Sequence, residues 1–110
     1  MCGRYGFESG QRELMTRFQL ETVIEQLPMS FNVAPGMTMP VVISQSPNHL
    51  ELMEWGFLPR WAKDPSATRR PINARAETVA TTPMFRGAFR HQRCLVPARG
   101  FYEFMWTILC

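Results

Sequence analysis

The sequence predicts an α+β fold built on a mixed, mostly antiparallel sheet. Three observations support this class: one stretch with helical spacing of apolar residues, several short runs with the composition of strands, and frequent turn residues between them. The 110-residue chain contains nine prolines and seven glycines, which favour many short elements over a helix bundle. This length fits one small domain with a core of its own.

The first helix is expected at residues 10–20. Ser9 is suited to cap its N-terminus, because a serine hydroxyl can accept a hydrogen bond from a free backbone N–H group of the first turn. Leu14 and Phe18, four residues apart, mark the buried side. A continuation through residues 21–27 is compatible with the pattern, and the proline that follows would end it.

The middle of the chain predicts a β-hairpin. Residues 39–44 (MPVVIS) and 49–55 (HLELMEW) have the composition of strands. The four residues 45–48 (QSPN) between them form a turn. The flanking chain is less regular, since residues 31–39 are turn-rich and extended and residues 56–71 are irregular.

A second helix is expected to begin at residues 82–83, a Thr-Pro pair, because proline suits the first helical position. Its apolar side consists of Phe85, Ala88 and Phe89. Two further strands, at residues 94–97 (CLVP) and 101–104 (FYEF), are expected to complete the sheet.

Charge is distributed unevenly along the chain. Residues 1–54 contain three arginines against six acidic residues, whereas residues 55–110 contain nine basic residues against three acidic ones. Eleven of the twelve basic residues are arginine, the residue type that makes forked contacts to phosphate. The basic second half is compatible with a polyanionic partner, and equally with a solvated face that binds nothing.

The cysteines argue against two common classes of small protein. Cys2, Cys94 and Cys110 are odd in number and lack CxxC spacing, which disfavours both a disulfide framework and a zinc site. No apolar run is long enough to cross a membrane, and the N-terminus lacks the apolar stretch of a signal peptide. A reducing, cytoplasmic environment is therefore expected.

The N-terminal stretch MCGRYG indicates a specific chemistry. Removal of the initiator methionine, which a small second residue favours, would leave Cys2 with an amine and a thiol on adjacent carbons. An α-amine has a pKa of about 7.7–8.0, so roughly a tenth of it is neutral and nucleophilic at pH 7. Such an amine condenses with an aldehyde to an imine, and the thiolate can close on the imine carbon to give a thiazolidine ring. An inert second residue is the alternative.

The segment NARAE, residues 73–77, alternates polar residues with alanine. A strand with this period would present Asn73, Arg75 and Glu77 on one face, close to a bound ligand. A surface strand with a salt bridge explains the same pattern.

Other residues are candidates on weaker patterns. Glu103, between two aromatic residues, suits a general acid or base if it is partly desolvated, although an edge-strand glutamate is the commoner explanation. The tryptophans and arginines of residues 55–70 suit stacking on unpaired bases and contact with phosphates, or they belong to the core. Asn32 and Pro35, in NVAP, indicate a polar turn with a rigid corner.

Five motifs, taken together, resemble one protein family. MCGRYG at the N-terminus, NVAP, MEWGFLPRWAKD, NARAET and MFRGAF…RCLVPARGFYE occur in this order. The set closely resembles the SRAP (SOS-response-associated peptidase) family of abasic-site processing proteins, from Met1 to about Glu103. The resemblance implies a single SRAP domain with a barrel-like core, of which residues 1–104 would be the N-terminal part and residues 105–110 a divergent tail.

The resemblance also implies a mechanism and a partner. Family members lose the initiator methionine, and the exposed cysteine, here Cys2, crosslinks to the ring-opened aldehyde of an abasic site in single-stranded DNA. Asn73 would orient the reacting amine or sugar, and Glu103 would shuttle protons. The residues implied to bind DNA are Arg4 and Arg75 at phosphates, Asn32 and Pro35 in the cleft, and Trp61 beside the lesion. The protein would act as a monomer, without a metal or organic cofactor and away from membranes.

The C-terminal end departs from the family pattern. The family domain continues past Gly-Phe-Tyr-Glu, usually with tryptophan, and supplies a histidine that acts as a general acid. Here Phe104 follows Glu103, and neither His49 nor His91 lies in the matching motif, so this role is unassigned. We therefore expect a domain that lacks its closing strands.

Two other functions are compatible with the sequence. A cysteine peptidase acting on other proteins would need a base beside Cys2 and a groove for a peptide. A non-catalytic remnant of the family, which binds single-stranded DNA, would keep only the basic cleft.

Overall fold

The computed structural model describes residues 2–103. In chain order, the helices and strands of this range are β1 (Tyr5–Phe7), α1 (Gln11–Phe18), β2 (Ser30–Val33), β3 (Thr38–Ile43), β4 (His49–Glu54), α2 (Arg86–His91), β5 (Cys94–Leu95) and β6 (Gly100–Phe101). The predicted α+β class is confirmed. Phe104 and the predicted tail, residues 105–110, lie outside the described residues.

The strands form two separate three-stranded sheets, with the orders β2-β1-β6 and β4-β3-β5. Every strand pair in the described range is antiparallel, and Leu20 and Asn48 form an isolated parallel bridge. No closed barrel is seen among residues 2–103, so the barrel-like core remains a prediction of the resemblance.

The first sheet fixes the N-terminal segment. Its central strand, β1, pairs Tyr5 with Val33 of β2 on one side and with Phe101 of β6 on the other. The register with β2 shifts between Tyr5 and Phe7, as it does at a β-bulge. All three residues of β1 are buried, so the strand that follows Cys2 is held by its neighbours on both edges.

The second sheet contains the predicted hairpin. β3 and β4 pair along their whole length, from Thr38 with Glu54 to Ile43 with His49. Both predicted strands are thereby confirmed, although the connecting loop, residues 44–48, begins one residue earlier than the predicted turn. The other edge of β3 pairs with β5.

The hydrophobic core joins both sheets to α1. Its buried residues are Tyr5, Phe7, Leu14, Leu20, Val33, Met39, Val42 and Leu50. Phe7 and Val33 are only 1% and 0% exposed. Because each buried side chain of this size contributes about 1.5–3 kcal/mol, this shared cluster is what holds two small sheets together.

The first helix is shorter than predicted. Its N-cap residue is Gly10, whose backbone is extended, and no side chain caps the helix, so the expected cap by Ser9 is wrong. The helix ends where Gln19 adopts a left-handed conformation with φ of 53°. Leu20 then turns into the core, where it is 5% exposed, and residues 21–27 are not helical.

The second helix begins later than predicted. The Thr82 carbonyl accepts hydrogen bonds from the N–H groups of Phe85 and Arg86, over 3.0 and 2.9 Å. The Thr-Pro pair therefore starts a turn, and the regular helix covers only Arg86–His91. Within residues 2–103, no helix is long and apolar enough to cross a membrane.

The last two predicted strands form, but they are short and join different sheets. β5 and β6 contain two residues each and pair with β3 and β1, respectively. Between them Arg99 donates its backbone N–H to the Gly6 carbonyl over 2.8 Å. Its guanidinium lies 3.2 Å from a carboxylate oxygen of Glu13, so the crossing segment is fixed against β1 and α1.

Candidate functional site

Cys2 lies immediately before the first sheet and is half-buried against the core. Its thiol donates to the Arg4 carbonyl oxygen, 3.3 Å from Sγ. Asn73 reaches Cys2 from 71 residues away, and its Nδ2 donates to the Cys2 carbonyl oxygen over 2.8 Å. The backbone and the thiol of Cys2 are therefore each held by a hydrogen bond.

The segment that carries Asn73 is not a strand, which corrects the interpretation of NARAE. The Arg75 carbonyl accepts hydrogen bonds from the N–H groups of Thr78 and Val79, over 3.2 and 2.9 Å. These local bonds close successive turns, so Asn73, Arg75 and Glu77 do not share the face of a strand. The polar alternation marks a segment of loop and turns in which Asn73 alone points back to Cys2 with a defined hydrogen bond.

The loop that precedes Asn73 is attached to the end of β4. The Pro71 carbonyl accepts a hydrogen bond from the Phe57 N–H over 2.9 Å, and the Ile72 carbonyl accepts one from the Trp55 indole N–H over 3.1 Å. Residues 71–73 are called the Asn73 loop below. Sequence pattern alone does not indicate this attachment, because a tryptophan after a strand is usually assigned to the core.

Tyr5 connects Trp55 to the N-terminal cysteine. The Tyr5 and Trp55 rings pack with their centres 5.5 Å apart and their planes tilted by 57°. Burial raises the pKa of the Tyr5 hydroxyl above its ordinary value of 10.0, and the charge of the nearby Cys2 thiolate raises it further. The Tyr5 and Trp55 rings, called the aromatic layer below, thus connect β1 to the Asn73 loop.

Glu103 and Arg4 belong to the same end of the first sheet. The Tyr102 N–H donates to the Arg4 carbonyl over 2.9 Å, which extends the pairing of β1 with β6 by one residue. In this antiparallel register, Glu103 follows at the level of Gly3, next to Cys2 in the chain. The side chains of Arg4 and Glu103 are both on exposed residues, where a substrate can approach them.

Asn32 lies in β2, which pairs with the edge of β1 opposite to β6. Pro35 lies in the turn that follows β2. Asn32 is an exposed residue of β2, and its N–H donates to the Ser30 hydroxyl over 3.1 Å. Pro35 lies in a turn that docks on Trp55, since the Gly36 N–H donates to the Trp55 carbonyl over 2.8 Å. Gly36 has φ of +87°, a conformation that favours glycine. The predicted rigid polar turn is therefore adjacent to the aromatic layer.

Trp61 and Arg75 are both exposed. Trp61, 63% exposed, lines a cavity of about 280 Å³ between residues 57–61 and the segment that contains α2. Phe57, which also lines this cavity, packs edge to face against Phe85, with 5.2 Å between the ring centres. Among the hydrogen bonds and ring contacts of residues 2–103, neither Trp61 nor Arg75 contacts Cys2 or Asn73.

Arg70 has a structural role, although its segment is rich in tryptophan and arginine. Its guanidinium is 2.5 Å from a carboxylate oxygen of Glu54 and donates to the Gly56 carbonyl over 2.9 Å. Gly56 has φ of +137°, and a Cβ added there would lie 3.5 Å from the Arg70 Nε. Arg70 therefore closes the irregular segment onto β4 and fixes where the Asn73 loop begins.

Only some of the residues predicted from the sequence lie close together in the structure. Cys2 and Asn73 are in direct contact, and Arg4 and Glu103 lie at the same sheet end. The turn that contains Pro35 is bonded to the Trp55 backbone through Gly36. Within residues 2–103, no three His, Cys, Asp or Glu side chains are close enough together to hold a metal ion. The chemistry available to this cluster is that of a cysteine, an amide, a carboxylate and a guanidinium.

Comparisons with known proteins identify relatives for nearly the whole chain. The family model described as SOS response associated peptidase (SRAP) matches residues 1–107. Abasic site processing protein YoaM of Bacillus subtilis is 37% identical over 106 residues, which cover 94% of this chain and 47% of that protein. Abasic site processing protein YedK of Escherichia coli is 35% identical over 111 residues, with 94% and 47% covered.

A vertebrate protein is also similar. Abasic site processing protein HMCES of Xenopus tropicalis is 30% identical over 87 residues, which cover 67% of this chain and 26% of that protein. The chain spans about half the length of the bacterial relatives that it matches.

Proposed function

The chain belongs to the SRAP family, and on that premise we propose that it processes abasic sites in single-stranded DNA by forming a covalent crosslink through Cys2. Proteins named for abasic site processing are its relatives in bacteria and vertebrates. The observation that carries the proposal is the 2.8 Å hydrogen bond between Asn73 and the Cys2 carbonyl, because it joins the nucleophile to a polar residue of a distant motif.

The proposed reaction uses both nucleophiles of a mature N-terminal cysteine. The Cys2 amine adds to the aldehyde carbon of the ring-opened sugar, and loss of one water gives an imine. The thiolate then adds to the imine carbon, and a proton passes to the nitrogen, which completes the thiazolidine ring. One water leaves in total, and neither an oxidant nor a reductant is consumed.

The surroundings of Cys2 support this chemistry. The Cys2 carbonyl is attached to the carbon that bears the amine and the thiol-carrying side chain, so the Asn73 bond anchors the backbone directly beside both nucleophiles. The bond from Sγ to the Arg4 carbonyl holds the thiol on the same side. A preoriented pair of nucleophiles turns ring closure into an intramolecular step with a high effective concentration.

The other predicted residues have roles that fit their positions. Glu103, at the level of Gly3 in the sheet register, is the proposed proton shuttle for loss of water from the first adduct. Arg4 and Arg75 are exposed cations for phosphates. The proposed contacts with the cleft and bases are those of Asn32, Pro35 and Trp61.

Removal of Met1 must precede the reaction, and the peptidase activity in the family name would then be this self-processing step. The functional unit is the segment 1–104 of a single SRAP domain, with residues 105–110 as a divergent tail. The protein would work as a monomer where single-stranded DNA is exposed, at the bacterial nucleoid in the cytoplasm or in a eukaryotic nucleus.

Intact-mass spectrometry tests the proposal. The purified chain, with loss of Met1 verified, is incubated with a single-stranded oligonucleotide in which one uracil has been converted to an abasic site. We expect an adduct with the summed mass of both molecules minus one water. Cys2→Ala should abolish it, whereas Cys94→Ala should retain it, because desolvation raises the pKa of the Cys94 thiol and disfavours its reactive thiolate.

Two outcomes would favour the alternatives. Salt-sensitive binding of the oligonucleotide without any adduct would identify a non-catalytic binder of single-stranded DNA. Cleavage of casein that is lost in Cys2→Ala would identify a cysteine peptidase. An adduct that survives both Cys2→Ala and acid treatment, which hydrolyses any imine formed by the remaining amine at position 2, would contradict the role of the Cys2 thiol.

A further inference from the structure

Trp55 occupies a central position beside the candidate site. Its backbone N–H donates to the Met37 carbonyl over 3.0 Å, and its carbonyl accepts from Gly36 over 2.8 Å. The residue is therefore fixed by the turn at the start of β3. Its side chain packs against the core, so the indole ring has little freedom to move.

The Trp55 indole contacts both halves of the site. The indole ring packs at a tilt against the ring of Tyr5, a residue of β1, with 5.5 Å between ring centres. Its N–H donates to the Ile72 carbonyl over 3.1 Å. That carbonyl belongs to the peptide group that joins Ile72 to Asn73, so the bond fixes the orientation of the backbone from which the Asn73 side chain extends.

We propose that Trp55 is a positioning residue, whose indole N–H holds the Asn73 loop in the place from which Asn73 reaches the Cys2 carbonyl. The inference deepens the proposed function, because it assigns the residue that sets the geometry of the reacting cysteine. Trp55 touches neither reacting atom, and it acts through the sequence of contacts from Trp55 to Ile72 and from Asn73 to Cys2.

The exposed position of the Ile72 carbonyl determines what the Trp55 indole N–H contributes to the placement of Asn73. Ile72 is an exposed residue, and the bond that its carbonyl accepts from Trp55 lies in an exposed setting. Water can therefore replace the indole as a donor, and loss of the N–H leaves no buried unpaired carbonyl. Water does not fix the direction of the peptide group, however, so the folded state survives while the placement of Asn73 is lost.

The first test is Trp55→Phe, which keeps an aromatic ring against Tyr5 and removes the indole N–H. We expect the crosslinking rate to fall by about 10-fold. Affinity for an oligonucleotide with a tetrahydrofuran abasic analogue, which cannot form an imine, should stay within about twofold. Thr16→Val is the matched control, because it also deletes one side-chain bond to a backbone carbonyl, that of Arg12 over 3.0 Å, on a helix away from the site.

A double variant distinguishes positioning from general loss of stability. Trp55→Phe combined with Asn73→Ala should react no more slowly than Asn73→Ala alone, because both changes break the same chain of contacts. Multiplied effects in the double variant would overturn the proposal. If the phenylalanine variant does not fold, 3-benzothienylalanine at position 55 keeps the shape of the indole without its N–H and should give the same rate as predicted for Trp55→Phe.

A measurement without DNA keeps this inference separate from the proposed function. The Asn73 side-chain amide protons, followed by NMR in the free protein, should show a hydrogen-bonded signal in the native chain. This signal should collapse to that of a solvated amide in Trp55→Phe and persist in Thr16→Val. An unchanged Asn73 signal in Trp55→Phe would overturn the proposal, whether or not the native chain crosslinks to DNA.

Discussion

The side-chain amide of Asn73 donates a hydrogen bond to the carbonyl oxygen of Cys2 over 2.8 Å. The bond joins the N-terminal segment to a loop 71 residues later in the chain, and it forms at the residue that bears the proposed nucleophiles. Since the loop is itself fixed by Trp55 and Arg70, the site depends on contacts that lie outside the reacting residues.

Replacement of Asn73 should separate reactivity from folding. Asn73→Ala removes the donor to Cys2, and we expect crosslinking to slow by about 10²-fold, the cost of a misplaced reacting group. The free energy of unfolding should fall by only about 0.5–1.5 kcal/mol, the net contribution of one hydrogen bond. Single-turnover crosslinking and urea denaturation measure the two effects. Asn73→Asp, which keeps the shape but cannot donate, should react as slowly, and a rate within twofold of the native chain in either variant would contradict the role of Asn73.

Tyr5 should make stability depend on pH above the ordinary tyrosine range. Its pKa is raised in the folded state, first by burial and then by Cys2. Between the ordinary value of 10.0 and the raised value, the folded chain holds more protons than the unfolded chain. The free energy of unfolding should therefore be unaffected by this group below that window and fall as the pH rises through it.

Tyrosinate absorbance can measure this shift directly. The chain contains two tyrosines, so in Tyr102→Phe the absorbance change reports Tyr5 alone. The titration midpoint should lie above 10.0 and should move down when Cys2→Ala is added, because the neighbouring thiolate no longer repels the phenolate. If the titration midpoint does not change in Cys2→Ala, the Tyr5 hydroxyl and the Cys2 thiol are not close to each other.

Gly56 should tolerate no side chain. Its φ is +137°, and an added Cβ would contact the Arg70 guanidinium that closes this segment onto β4. We expect Gly56→Ala to lower the free energy of unfolding by about 1–3 kcal/mol, because the backbone conformation is strained for alanine. Gly87→Ala is the matched control. A Cβ at Gly87 in α2 meets nothing within 4 Å, so this change should raise stability by about 0.5–1 kcal/mol, and equal effects of both variants in denaturant titrations would contradict the prediction.

Phe7 should be the most sensitive core position. It is 1% exposed and lies in the shared cluster of the two sheets. We expect Phe7→Ala to cost about 3–5 kcal/mol, a large part of the stability of a small domain. Phe7→Leu, with a loss of about 1–2 kcal/mol, gives a measurable transition if the alanine variant is unfolded. Phe31→Ala is the control at a residue that is 71% exposed, and a similar loss there would contradict the assignment of the core.

Arg75 should contribute to DNA affinity in a salt-dependent way. If it contacts one phosphate of single-stranded DNA, Arg75→Ala should reduce the slope of log affinity against log salt by about 0.7. Arg12→Ala removes another exposed arginine, in the first helix, and should leave the slope unchanged. Fluorescence anisotropy with the tetrahydrofuran oligonucleotide, across a series of salt concentrations, distinguishes the two variants. Equal slopes in Arg75→Ala and the native chain would exclude a phosphate contact.

Local pattern predicted the α+β class and the hairpin, but it did not predict β1 and β2, the paired strands of the first sheet. The strand composition on either side of QSPN predicted the hairpin, whose strands pair without a break. The boundaries of the helices were less predictable. A left-handed Gln19 and the burial of Leu20 ended the first helix, and both depend on packing against the second sheet, which no short window of sequence contains.

The sequence proposed the members of the candidate site, but it did not predict how they are arranged. Cys2 stands out because its chemistry depends only on position in the chain. The alternation of NARAE suggested a strand. Instead, the Arg75 carbonyl accepts hydrogen bonds from the N–H groups of Thr78 and Val79, as in a series of turns. The sequence predicted Trp55 only as one of several tryptophans that stack on bases or belong to the core, because its contacts with the Tyr5 ring and the Ile72 carbonyl join residues that are far apart in the chain.

The sequence by itself determined that a cysteine can become the first residue, because this depends only on its position in the chain. It also determined the types of element around that cysteine, because side-chain periodicity is a local property. Only the tertiary structure decided that Asn73 meets Cys2, that Trp55 holds the Asn73 loop and that Arg70 serves the fold. Those contacts join residues that are far apart in the chain, and they form only where the packing of the two sheets has already compensated the entropy of bringing the segments together.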